Sequence, residues 1–235
     1  MYPFFYFDPT YLLCMVPAIL LTLGAQIYVS SAYRKWSKVP ARSQLSGAQA
    51  AQRLIQYANL YNVQIQGVRG NLTDHYDPRS KVLRLSEKVY SQPSVASIAI
   101  AAHELGHAMQ DAEGYGPLRF RAMLVPAVNI GSYLGWIFII IGLLFHFTGL
   151  AWLGVLVFGL GALFAFATIP VEFNASARAK RMLVESGIIT GEDEQRGVNA
   201  VLNAAALTYV AALFTAIMQL LYYASLVLGS SGRRR

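Results

Sequence analysis

His103-Glu104-Leu105-Gly106-His107 is the segment whose residue types and spacing point to chemistry. On an α-helix, residues i and i+4 lie about 40° apart, so both imidazoles project from one side. Two neutral imidazoles are natural ligands for zinc. Glu104, next to the first histidine, is placed to take a proton from a water that the metal activates. Chance gives this HExxH pattern in roughly one chain in 500 of this length and composition.

A catalytic zinc site takes three protein ligands and leaves one position open. The third must come from outside the pair. His75 is one choice and Asp111 another, but a single straight helix cannot wrap three ligands around one tetrahedral ion, which weakens Asp111. Glu172 is placed better. It directly follows Ile169-Pro170-Val171, where a long apolar run ends. Topology expects that end on the same face as the HExxH helix.

The elements that must position these residues are legible from pattern. Residues 34–121 read as a small α+β unit. Ser46 followed by Gln49 fits a helix-capping box. Beyond it Ala50, Leu54, Tyr57, Ala58 and Tyr61 recur at helical spacing. Val63, Ile65 and Gly67 alternate with Gln64 and Gln66, a strand signal. Tyr76-Asp77-Pro78 is turn chemistry. Val82–Leu85 is a second strand, expected as an edge to which substrate could add. Pro93-Ser94 starts the HExxH helix with Ser94 as N-cap, and it runs to about Ala112.

Hydropathy supplies the rest of the frame. The 235-residue chain is 55% hydrophobic and 13% charged, against about 25% charged in a typical soluble domain. Residues 9–33, 122–171 and 197–232 contain no Asp, Glu, Lys or Arg. A spanning helix needs roughly 20 apolar residues. The windows therefore hold four spans, at about 11–31, 123–145, 150–170 and 200–228. The first reads as a signal anchor, with Tyr2, Phe4, Phe5, Tyr6, Phe7 and Tyr11 crowding its start as boundary aromatics. Gly131 and Gly135 form a GxxxG pair, a helix-packing face.

Twelve of 19 basic residues lie in 34–121 and four in 172–196, against three in the tail Arg233-Arg234-Arg235. Four spans put the first two segments on one side, and the excess of Lys and Arg makes that side cytoplasmic. The tail conflicts with this assignment unless the last segment re-enters or lies in the interface. The basic residues are scattered and no recognition motif accompanies them, which excludes nucleic acid as a partner. A lone cysteine, Cys14, excludes an intramolecular disulfide framework and a cysteine-built zinc site. The near absence of ionisable residues within the spans argues against a transporter or channel.

With those residues in place, a resemblance emerges. Leu72–Pro78, Leu85-Ser86, Ala101–Ala108 and Pro170–Ser176 resemble the YugP-type neutral zinc metallopeptidases of bacterial membranes. The resemblance implies a gluzincin whose ligands are His103, His107 and Glu172, with Glu104 as general base and Zn2+ as cofactor. It also implies a bacterial plasma membrane location. The arrangement is similar to HtpX-type membrane proteases, in which an aspartate follows four residues after the glutamate. Here that position is Ser176, so Asn174 or Arg178 would share the orienting task. His75, Tyr76 and Arg178 are the residues considered for an oxyanion donor, His75 and Arg178 being carried as catalytic candidates.

The expected fold class is mainly α: an integral membrane protein with about four transmembrane helices and a small α+β zincin-like unit. Its parts are an anchor (1–33), a cytoplasmic HExxH unit (34–121), spans two and three (122–171), a cytoplasmic segment with the third ligand (172–197), and span four with the basic tail (198–235). The expected function is hydrolysis of peptide bonds in a protein or peptide substrate at the bilayer. A homo-oligomer or membrane-protein partner is left open. The rival reading is a non-catalytic scaffold with a structural zinc, which would have no need of Glu104.

Overall fold

The structure, a computed structural model, describes residues 8–232. Tyr2, Phe4, Phe5, Tyr6 and Phe7 of the aromatic start and the tail Arg233-Arg234-Arg235 lie outside the described residues. The chain is mainly α, and among the described residues four helices are long and apolar enough to cross a membrane. It divides into two compact units.

The first unit takes the chain up to residue 25, residues 119–169 and the chain from residue 208. It contains the apolar parts of α1 (Pro9–Trp36), α5 (Gly116–Leu144), α6 (Thr148–Phe158), α7 (Leu160–Glu185) and α8 (Glu192–Gly232). The span expected at 150–170 falls across α6 and α7. Between them Gly159 donates to Val155 O at 2.9 Å and accepts from Leu163 at 3.0 Å, so helical bonding continues through the joint. The expected boundaries at 33 and 171 fall inside α1 and α7, because backbone hydrogen bonding does not stop where hydropathy changes.

Glycine lets α5 and α6 approach. A Cβ on Gly135 would lie 2.7 Å from Phe158 N and 2.9 Å from Gly154 O. One on Gly154 would lie 2.6 Å from Ile139 N. The GxxxG face is thus a packing face within the chain. Lipid gives no hydrophobic drive for helices to associate, so such close backbone contact does the work. Around it Ile139, Ala151, Val155 and Val227 form a small buried cluster.

The second unit takes residues 26–118 and 170–207. After the end of α1, its first whole helix, α2 (Gly47–Tyr57), begins with the expected capping box, in which Ser46 and Gln49 bond each other's backbone N–H. Three short strands follow: β1 (Gln64–Val68), β2 (His75–Asp77) and β3 (Val82–Ser86). They order as β1-β3-β2, with β1 parallel and β2 antiparallel to β3. After α3 (Glu87–Ser91), α4 (Val95–Ala112) starts at Ser94, whose side chain accepts from Ser97 N. Leu54, Leu83, Leu85, Ile98, Leu105, Leu183 and Leu202 are buried together in the core.

Two details depart from the pattern. Tyr76 and Asp77 belong to a strand, with turn chemistry beginning after them, where Asp77 accepts from Arg79 N and Ser80 Oγ. Val82–Leu85 is not an edge: β3 is paired on both sides, and the edges are β1 and β2. Its burial fits that central place: Val82, Leu83, Leu85 and Ser86 are all buried and only Arg84 is partly exposed, as in a strand covered on both faces.

The glycine contacts carry a prediction. Gly154→Ala forces a methyl into the backbone of α5 and should destabilise the protein by about 1–3 kcal/mol. Gly24→Ala enters open space and should be neutral or stabilising by about 0.5–1 kcal/mol. Thermal unfolding of the two variants in detergent checks the contrast.

Candidate metal centre

The site is built where α4 meets α7. Ala99, Ala102 and Gly106 give α4 a face of small residues, and Ala175 and Ala179 are buried on α7. A Cβ on Gly106 would lie 2.5 Å from Ala175 O and 3.0 Å from Ala175 Cα. The two backbones are in contact, with no room for a side chain between them. His103 precedes Gly106 by three residues, as Glu172 precedes Ala175, so this contact delivers both side chains to one spot.

There the donor atoms of His103, His107 and Glu172 lie within 4.8 Å of one another. His103 Nε2 is 3.2 Å and His107 Nε2 is 3.4 Å from Glu172 Oε2. The two rings are edge to face, 4.9 Å between centroids. Ligands bound at about 2.0–2.1 Å to a tetrahedral zinc stand roughly 3.3 Å apart. Donor types and spacing therefore fit zinc. Glu172 is only 3% exposed, and a carboxylate so buried must be paired or bound to a cation. Burial pushes its carboxyl up, but the His103 and His107 imidazoles outweigh this and hold it well below the usual range. Burial likewise pulls the His107 imidazole down, and Glu172 with Glu104 brings it above its ordinary value.

Each histidine has a different partner behind it. Ser176 Oγ is 3.2 Å from His103 Nδ1. His107 Nδ1 is 3.0 Å from Gln110 Oε1. Sequence reading passed over Gln110. The signal was available: it stands three residues after His107 on a buried helix, where a polar amide requires partners. It is fully buried and donates from Nε2 to Val171 O at 2.8 Å and to Asn174 Oδ1 at 3.0 Å.

Glu104 is fixed from the sheet. Its Oε2 accepts the backbone N–H of Tyr76 on β2 at 3.1 Å. That strand is anchored just before its start, where Asp74 accepts from Ser86 N at 2.7 Å and from Ser86 Oγ at 2.9 Å. Burial raises the Asp74 carboxyl, and the bonds from Ser86 oppose the rise without cancelling it. The pairing explains why Asp74 and Ser86, twelve residues apart, belong to one motif.

The other expected residues are directed elsewhere. His75 is exposed, with Nδ1 2.9 Å from Thr73 O and Nε2 3.5 Å from Arg84. Tyr76 donates its hydroxyl to Asp111 at 2.7 Å, and Lys81 Nζ meets the same carboxylate oxygen at 2.6 Å. Asp111 is thus an anchor for β2 and lies outside the ligand cluster. Burial first, and then Asp111, raise the Tyr76 phenol far above its ordinary value. Arg178 grips Glu113 with both terminal nitrogens, at 2.6 and 2.7 Å, and donates from Nε to Asn174 Oδ1 at 2.7 Å.

This geometry, carried by a mainly α chain with membrane-length helices, agrees with comparison to known proteins. Residues 11–228 match the family described as "Putative neutral zinc metallopeptidase", and the chain belongs to that family. It is 44% identical over 213 residues to a protein of Bacillus subtilis (strain 168) named "Putative membrane protease YugP", covering 91% of this chain and 94% of that one. No solved structure matches the chain.

Because the α4–α7 contact leaves no space, Gly106→Ala should destabilise the second unit by about 1–3 kcal/mol and reduce bound zinc below one per chain. Thermal unfolding and elemental analysis of the purified variant check both effects.

Proposed function

We propose that this chain is a membrane-embedded, zinc-dependent endopeptidase that hydrolyses peptide bonds of protein substrates. The observation that carries the reading is the convergence of His103 Nε2 and His107 Nε2 on Glu172 Oε2, at 3.2 and 3.4 Å, with all three donor atoms within 4.8 Å of one another. Membership in a family of zinc metallopeptidases and identity to a protein named as a membrane protease support it.

In this proposal His103, His107 and Glu172 hold the ion. Zinc supplies a Lewis acid for the scissile carbonyl and brings the pKa of water to near 7. Glu104 accepts a proton from the attacking water and hands one to the leaving amine nitrogen. The Tyr76 amide holds the Glu104 carboxylate in place for both transfers. An extended substrate chain adds to the sheet edge at β2, the strand that touches Glu104, and its backbone groups supply the hydrogen bonds. The preponderance of basic residues in 34–121 and 172–196 supports a site on the cytoplasmic side of the cell membrane.

Glu104→Gln keeps the size of the side chain and removes the base. Cleavage of an unfolded test protein should fall by about 100-fold or more, with one zinc still bound per chain. Glu172→Ala should lose stoichiometric zinc as well as activity. Wild-type cleavage by Glu104→Gln sinks the proposed mechanism, and full zinc content in Glu172→Ala removes Glu172 from the ligand set.

A further inference from the structure

Behind His107 runs a line of hydrogen bonds whose direction is set at its far end. Arg178 has donors and no acceptor. Its Nε meets Asn174, so the Asn174 atom facing it at 2.7 Å is the carbonyl oxygen. That same oxygen faces Gln110 at 3.0 Å, so Gln110 presents its amide nitrogen there. Val171 O, an acceptor only, sits 2.8 Å from that nitrogen and requires the same orientation. Gln110 must then turn its carbonyl oxygen toward His107 Nδ1. A carbonyl accepts, so Nδ1 carries the proton. Nε2 is left with its lone pair, 3.4 Å from Glu172 Oε2.

The far end is itself held. Glu113 takes both terminal nitrogens of Arg178, which orients the planar guanidinium so that Nε points at Asn174. The Arg178 guanidinium also lies 5.8 Å from the Tyr115 ring. Burial gives the line its weight. Gln110 is fully buried, with no water to exchange partners with, so reversing the amide would leave Val171 O and Asn174 Oδ1 facing an oxygen. His103 has no such device. A serine hydroxyl stands behind it, and a hydroxyl can donate or accept.

We propose that Arg178, Asn174 and Gln110 are positioning residues that fix the Nδ1–H tautomer of His107 and so prepare its Nε2 for the metal. This rests on the zinc site proposed above and assigns Arg178 a task other than oxyanion donation. It makes Asn174 informative, since both of its contacts use the oxygen and neither uses the amide hydrogens. An aspartate there can serve both donors, whereas a leucine of the same size can serve neither.

The experiment measures zinc affinity of the full-length protein in detergent, by competition with a chelator, for wild type, Asn174→Asp, Asn174→Leu and Arg178→Lys. Asn174→Leu should bind zinc about 10–100-fold more weakly. Asn174→Asp should stay near wild type. Arg178→Lys, which keeps the charge but loses the planar Nε donor, should fall between them and stands in if the leucine variant does not fold. The second readout is the nitrogen resonances of His107 in metal-free protein, at a pH where imidazoles are neutral. Wild type and Asn174→Asp should show the proton on Nδ1, and Arg178→Lys a mixture of tautomers. Equal weakening by Asp and Leu, wild-type affinity in both Leu and Lys variants, or an Nε2–H tautomer in wild type overturns the proposal. If wild type binds zinc no better than Glu172→Ala, the metal reading fails, and the tautomer readout alone then decides whether the relay exists.

Discussion

The contact between α4 and α7 at Gly106 and Ala175 is the constraint on which the site depends. A Cβ at residue 106 would stand 2.5 Å from the Ala175 carbonyl oxygen. Only a residue without a side chain permits that approach, and only that approach puts Glu172 within 3.4 Å of two imidazoles. The two middle positions of an HExxH motif are free as far as ligand chemistry goes. Here one of them is occupied by the packing requirement of the helix that carries Glu172.

Burying Glu172 carries an electrostatic cost that packing alone cannot offset. Its carboxylate is almost wholly shielded from water, which pushes its carboxyl up, and the His103 and His107 imidazoles beside it bring it below the usual range. Three such side chains brought together repel or attract according to their protons, so the groups behind them matter. Ser176 behind His103 is indifferent to proton placement, while Gln110 behind His107 is held in one orientation by Val171 and Asn174. The sheet has a comparable role for Glu104. It offers a backbone amide from β2, and Asp74, Asp111 and their partners tie that short strand down. A three-residue strand has little stability of its own, so these side-chain anchors are what make the amide a fixed donor.

Close backbone approach through glycine recurs in the other unit, for a different reason. Between α5 and α6, Gly135 and Gly154 meet the facing backbone directly. In lipid this maximises dispersion contact where burial from water contributes nothing. In the second unit the same device serves geometry. The apolar core of Leu54, Leu83, Leu85, Ile98, Leu105 and Leu183 supplies the cohesion there, and Gly106 only sets the distance.

Local features were legible in the residues themselves. The four apolar helices, the Ser46 capping box, the Ser94 start of α4 and the pairing of His103 with His107 each depend on spacings within one element. Chemistry and the helical period decide those without reference to the rest of the chain. The strand at His75–Asp77 was hidden because three residues carry no period, and its existence depends on β3 beside it. The central place of β3 was hidden for the same reason, since strand order follows from pairing partners far away in sequence. Gln110, Asn174 and Arg178 could be named as polar residues near a motif, but which atom faces which is a matter of two helices meeting. Sequence alone therefore determined the residue types of the cluster, the helix that presents its two histidines and the membrane character of the chain. The tertiary structure decided the distances from Glu172 to the two imidazoles, which way Gln110 turns behind His107, what stands behind His103, and which strand touches Glu104, because these relations join residues 28 to 73 positions apart that only packing can set.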